Sequence, residues 1–122
     1  MIAGIDHVQV AAPPGCEDLA RAFYGGVLGL QELGKPPTLA ARGGCWFAAG
    51  GQQLHVGVAE PFVPAAKAHP ALRADSSAAL HELAARLAAA GHRVAWDSDI
   101  ADTERFHVTD PFGNRLELLA PG

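Results

Sequence analysis

The sequence predicts an α+β fold made of two similar halves, each ordered as a strand, a helix and three strands. Three observations predict it. Two strand starts carry a His that is followed, 48 positions later, by a second ligand-type residue: His7 by His55, and His69 by Glu117. Gly51-Gln52-Gln53-Leu54-His55-Val56 aligns without a gap on Gly113-Asn114-Arg115-Leu116-Glu117-Leu118. Each half also has one stretch of helical apolar spacing among stretches that alternate with period two. Such a half has one helix to cover one sheet face, and its other face needs a partner, which a second copy supplies.

Ile2 to Val10 reads as the first strand, with Val8 and Val10 on one face and His7 and Gln9 on the other. Pro13-Pro14-Gly15 ends it. Glu17 to Val27 reads as a helix, because Leu19, Phe23 and Val27 recur every four residues. Its acidic first turn, Glu17 and Asp18, suits the positive end of the helix dipole. Leu30 to Leu33 reads as a short strand, Thr38 to Arg42 as a second and Cys45 to Ala48 as a third. Gly50-Gly51 makes a tight hairpin into Gln53 to Val58, where Leu54, Val56 and Val58 oppose Gln53, His55 and Gly57.

Glu60-Pro61-Phe62-Val63-Pro64 reads as the connector between modules of about 1–60 and about 67–122 within one domain of residues 1–122. His69 to Ala74 is the next strand. Asp75 or Ser76 caps a helix through Ala90, with Leu80, Leu83, Leu87 and Ala90 on one stripe and Gly91 as its stop. Arg93 to Trp96 is a strand and Asp97 to Thr103 an acidic loop. Arg105 to Thr109 and Arg115 to Leu119 are strands joined by the turn Asp110-Pro111-Phe112-Gly113-Asn114.

With 122 residues, 49% of them hydrophobic and 18% charged, the chain is long and apolar enough for a globular core. The net charge of −4, with no basic block, argues against a nucleic-acid partner. A small anionic substrate held by one or two Arg is still compatible with it. No apolar run reaches the ~20 residues of a membrane helix, and no basic segment followed by an apolar one marks a signal peptide. Cys16 and Cys45 read as reduced, buried thiols, so the expected setting is cytoplasmic.

His7, His55, His69 and Glu117 each fall on a strand whose alternate residues are apolar. If the apolar positions face the helices, these four face the other way. Imidazole and carboxylate form the borderline donor set for a divalent Zn, Ni, Fe, Mn or Co ion. A single His on a strand is usually an ordinary polar residue; four at matched positions of a repeat favour a metal. A site without thiolate ligands points to catalytic use, with the metal acting as Lewis acid or activating water. His107 has the same parity and is a candidate acid or base. Arg73 and Arg105 share that parity and are candidates to hold a substrate carboxylate, a solvated or ion-paired role being the alternative. Trp46, Phe62 and Phe112 are candidates to line an apolar pocket, the alternative being the core. His81 and His92 read as solvated.

The pattern resembles the glyoxalase/bleomycin resistance protein/extradiol dioxygenase family, the vicinal oxygen chelate superfamily. Ile5-Asp6-His7-Val8 resembles its opening strand, and Ala22-Phe23-Tyr24 with Val27-Leu28-Gly29-Leu30 its first helix and exit. Thr109-Asp110-Pro111-Phe112-Gly113-Asn114-Arg115-Leu116-Glu117-Leu118 resembles its closing hairpin and is the most specific of the three. The resemblance spans nearly the whole chain. It implies paired βαβββ modules joined into a cup-shaped mixed sheet with the helices outside. It implies metal ligands on the first and last strand of each module, which are His7, His55, His69 and Glu117. It implies a homodimer, and leaves open whether each site is built within one chain or across two.

The chain departs from parts of the family. It is shorter than two-ring dioxygenases, carries no equivalent of the potassium loop of fosfomycin-resistance enzymes, and has His55 near where glyoxalase proper has a Glu. The expected function is therefore a metal-dependent enzyme of lyase, isomerase or dioxygenase type. Its small substrate would chelate the metal through two oxygens, with Glu117 or His107 handling the proton. Trp46, Arg73, Arg105 and Phe112 are the expected substrate contacts. The alternative is a bleomycin-resistance-like protein that sequesters a drug without catalysis.

Overall fold

Each half of the chain builds its own four-stranded mixed sheet in this computed structural model, which describes residues 1–121. The chain divides into two compact units between Pro64 and Ala65, at the end of the Pro-punctuated connector. The first unit contains β1 (His7–Ala12), α1 (Glu17–Ala20), a π-helical segment Arg21–Val27, β2 (Glu32–Leu33), α2 (Pro37–Ala40), β3 (Cys45–Ala49) and β4 (Gln52–Val58). The second contains β5 (Ala71–Arg73), α3 (Ser77–Ala89), β6 (Ala95–Asp97), β7 (Thr103–Thr109) and β8 (Arg115–Pro121). The sheet orders are β1-β4-β3-β2 and β5-β8-β7-β6, so both units share one topology.

In each unit the first and last strands pair in parallel and the other pairs are antiparallel. A parallel pair cannot be closed by a hairpin, and the crossover that joins it carries the helix. This topology makes the first and last strands neighbours, which brings distant ligand-type residues together. Alternation then sorts the faces as expected. Val10, Ala12, Phe47, Leu54 and Val56 are buried with Phe23 and Tyr24 in the first unit. Phe106, Val108, Leu116 and Leu118 are buried with Leu80, Ala84 and Leu87 in the second.

The helices show a cap and a change of type. Ser76 caps α3, its hydroxyl accepting the Ala79 N–H at 3.1 Å. The expected first helix changes type part-way: Leu28 N donates to Phe23 O at 2.9 Å, a bond five residues back that belongs to a π turn.

Three expected strands are corrected. The first begins at His7 and not at Ile2, because β4 starts at Gln52 after the Gly50-Gly51 turn and its register, His7 opposite Gln53, leaves no strand alongside the residues before Asp6. Thr38 to Arg42 is not a strand; Pro37 to Ala40 is a helical turn with Pro37 in its first position, where a missing N–H costs nothing. The strand expected from His69 begins at Ala71, since Pro70 has no N–H for the ladder.

Two irregular segments hold strands in place. Gly44 enters β3 with φ +84°, and a Cβ there would lie 2.1 Å from the Val56 carbonyl oxygen. The β7–β8 turn is built on Asp110, whose Oδ1 accepts the N–H groups of Phe112 and Asn114 at 2.9 and 2.8 Å. Its Oδ2 accepts the Asn114 side-chain amide at 3.0 Å, and Asn114 Oδ1 accepts the Ala65 N–H at 3.1 Å. The stretch that most specifically carries the family resemblance is thus a buried polar turn.

Candidate functional site

The equal spacing of the sequence has a topological cause. His55 is the ladder partner of Gln9, and His7 stands two residues before Gln9. Glu117 is the ladder partner of Ala71, and His69 stands two residues before Ala71. The antiparallel neighbours correspond too: Trp46 lies opposite His55, and His107 opposite Glu117. Each unit therefore places three side chains in the same three slots, His7, His55 and Trp46 in one, His69, Glu117 and His107 in the other.

The slots are used differently. In the second unit, Glu117 Oε1 lies 3.2 Å from His69 Nε2 and 3.3 Å from His107 Nε2. One donor atom from each of the three residues falls within 4.8 Å of the others. Metal–ligand bonds of about 2.0–2.2 Å at tetrahedral or octahedral angles place donor atoms about 3.0–3.5 Å apart. The two distances to the carboxylate already match that separation. His69 Nδ1–H donates to the Lys67 carbonyl at 2.8 Å. With Nδ1 so engaged, Nε2 is the ring atom that faces the carboxylate, the orientation of a metal-ligating His whose other nitrogen is held by a carbonyl. The donor set of two imidazoles and one carboxylate thus fits a divalent ion such as Zn, Ni, Fe, Mn or Co.

Glu117 is buried, and its charge has a second partner. Arg105 Nη1 donates to the same Oε1 at 3.2 Å, while Arg105 Nη2 donates to Asp97 Oδ2 at 3.0 Å. The Asp99 N–H, reinforced by Arg105, holds the Asp97 carboxyl below its usual range. Arg105 Nε is buried without an acceptor.

In the first unit the slots hold a stack of rings. His55 lies against Trp46, with centroids 4.1 Å apart and planes 4° apart, and against His7 at 4.2 Å and 15°. Burial and the neighbouring His7 push the His55 imidazole below its ordinary value, so it favours the neutral form. His55 Nε2 is 2.8 Å from the Gln53 amide oxygen, and His7 Nδ1–H donates to Asp6 Oδ2 at 2.9 Å. With Nδ1 so engaged, His7 has Nε2 as its other ring nitrogen, as His69 does.

Arg73 is exposed on β5, Phe112 is half-buried in the β7–β8 turn and Phe62 is half-buried in the connector. His81 is exposed, and its ring also hydrogen-bonds Glu104 at 2.5 Å and stacks on Trp96. Cys16 and Cys45 are free and buried, and burial with the adjacent Glu17 pushes the Cys16 thiol up to about 11. Neither thiol is poised as a nucleophile. The meeting of His107 with Glu117 was readable in advance, since a turn centred on Phe112 pairs positions equidistant from it. The role of Asp97 was not, because the loop before β7 does not fix the β6 register.

The chain matches the family described as Glyoxalase/Bleomycin resistance protein/Dioxygenase superfamily over residues 4–118. Among solved structures it is similar to a Bacillus anthracis protein described as of the glyoxalase family, with 48% identity over 100% of this chain and 98% of that one, and a TM-score of 0.94. It shares the fold of lactoylglutathione lyase from Agrobacterium tumefaciens, at 23% identity over 98% and 94% of the two chains and a TM-score of 0.75. It also shares that of the fosfomycin resistance protein FosX from Listeria monocytogenes, at 16% identity over 100% and 96% and a TM-score of 0.79. No curated protein matches it.

Proposed function

Because the chain belongs to the glyoxalase/bleomycin resistance protein/dioxygenase superfamily, we propose that it is a metal-dependent enzyme acting on a small substrate with two adjacent oxygens. The observation that carries this reading is the His69–Glu117–His107 cluster, with both imidazole Nε2 atoms within 3.3 Å of one oxygen of a buried carboxylate. His69 and Glu117 are the proposed ligands of the second module, and His7 and His55 fill the corresponding slots of the first, where the resemblance implies ligands too. A divalent ion held there supplies a Lewis acid for the substrate oxygens, of use in isomerase, lyase or dioxygenase chemistry.

The remaining steps belong to the side chains. Glu117 contributes negative charge that is already desolvated, so little is lost when a cation approaches. His107 is half-buried beside it and accepts or returns a proton when not itself a ligand. Trp46, Arg73 and Phe112 are the proposed substrate contacts. The expected partners are a small molecule and a second copy of the chain.

Elemental analysis of protein purified without chelator, followed by thermal melting with added Zn, Ni, Co or Mn, tests the assignment. Bound metal and a rise in Tm that is lost in Glu117→Gln are expected. Metal-free protein whose Tm ignores all four ions overturns it. A sequestering role without catalysis is favoured by one observation, the half-buried Trp46 ring stacked on His55 as an aromatic platform. It predicts quenching of Trp fluorescence by an aromatic drug after chelator treatment.

A further inference from the structure

Resting on the metal reading above, we infer that Asp97 is a positioning residue of the Glu117 site and acts through Arg105. The three charged groups form a line: Asp97 Oδ2 to Arg105 Nη2 at 3.0 Å, and Arg105 Nη1 to Glu117 Oε1 at 3.2 Å. All three side chains are largely withdrawn from water, at 22%, 15% and 11% exposure. Charges this sheltered interact strongly, so their arrangement decides how the site treats a cation.

The arrangement solves a specific problem. A guanidinium is a rigid planar donor and fixes the orientation of the carboxylate it meets. Beside a metal site, however, its positive charge repels the ion. Asp97 lies across the strand pair from Arg105 in the β6–β7 ladder and takes the other terminal nitrogen. It offsets the guanidinium charge without touching the metal-binding atoms. Glu117 then keeps its own negative charge for the ion while Arg105 holds it in place. Asp97 is anchored in turn by the Asp99 N–H on its other oxygen at 2.7 Å. With both terminal nitrogens of Arg105 engaged inside the module, positioning is favoured over clamping a substrate carboxylate.

A double-mutant cycle on metal affinity tests this, with Co²⁺ binding measured by titration calorimetry on the full chain and folding checked by circular dichroism. Asp97→Asn is expected to weaken Co²⁺ binding on the order of 10-fold, the low end for residues that orient metal ligands. In an Arg105→Gln background the same substitution is expected to leave affinity unchanged, because no guanidinium charge is left to offset. Arg105→Met provides a second background should the Gln variant fold poorly. Equal weakening in both backgrounds, or none in the wild-type background, overturns the role of Asp97 while metal binding itself stands. Wild-type protein that takes up no Co²⁺ overturns the metal reading, and this inference with it.

Discussion

His69 Nε2 stands 3.2 Å from Glu117 Oε1, although the two residues are 48 positions apart. A parallel pairing of the module's first and last strands brings them together, and the same pairing brings His7 against His55. The fold thus presents one arrangement of slots twice.

The β7–β8 turn sets the register that puts His107 opposite Glu117. Asp110 accepts three N–H groups there. Asp110→Ala leaves buried donors unpaired and is expected to cost about 3 kcal/mol or more. Urea denaturation measures the loss, and a cost near zero would show that the turn does not depend on this carboxylate.

Much of this was legible beforehand, for reasons visible in particular residues. Alternation put Glu117 and His107 on one face, because a strand's period of two leaves little ambiguity once Leu116, Leu118, Phe106 and Val108 are apolar. The short Pro-led helix at 37–40 was not legible, since a run of four residues lacks enough turns to display a helical period. The link from Asp97 to Arg105 was hidden by loop register, and the π turn by a bond pattern that side chains do not signal. Strand pairing also had to be known before Ile2 to Asp6 could be excluded from the first strand.

Gly44 tests the packing of β3 on β4. Its positive φ disfavours any side chain, and an added Cβ meets backbone rather than a movable side chain. Gly44→Ala is expected to cost about 1–3 kcal/mol from backbone strain, with the clash against Val56 adding to it. Thermal melting reads the effect, and a Tm equal to wild type would contradict it.

Glu17 gives a pH dependence. It accepts the Gly44 N–H at 2.8 Å and the Cys16 thiol at 3.3 Å, which hold its carboxyl below the ordinary value of 4.5. A folded-state value below the unfolded one stabilises the protein above about pH 4.5 and loses that stability as pH falls through the lowered value. Glu17→Gln is therefore expected to lower stability at neutral pH by about 1 kcal/mol and to flatten its decline in acid. Parallel stability curves for the two proteins from pH 7 to pH 3 would refute this.

Cys16 and Cys45 are buried, and burial raises both thiols. Native protein at pH 8 is expected to react with a thiol reagent far more slowly than unfolded protein, at both positions. Equal rates would show that the thiols are open to solvent.

In the proposed site an imidazole–carboxylate cluster, and no thiolate, holds a divalent ion. X-ray absorption of protein loaded with one equivalent of Zn²⁺ tests it most directly. A nitrogen and oxygen shell at about 2.0–2.2 Å is expected, with the multiple-scattering signature of at least one imidazole, reduced in His69→Ala. A sulfur shell at about 2.3 Å, or an oxygen-only shell with no imidazole signature, would contradict it.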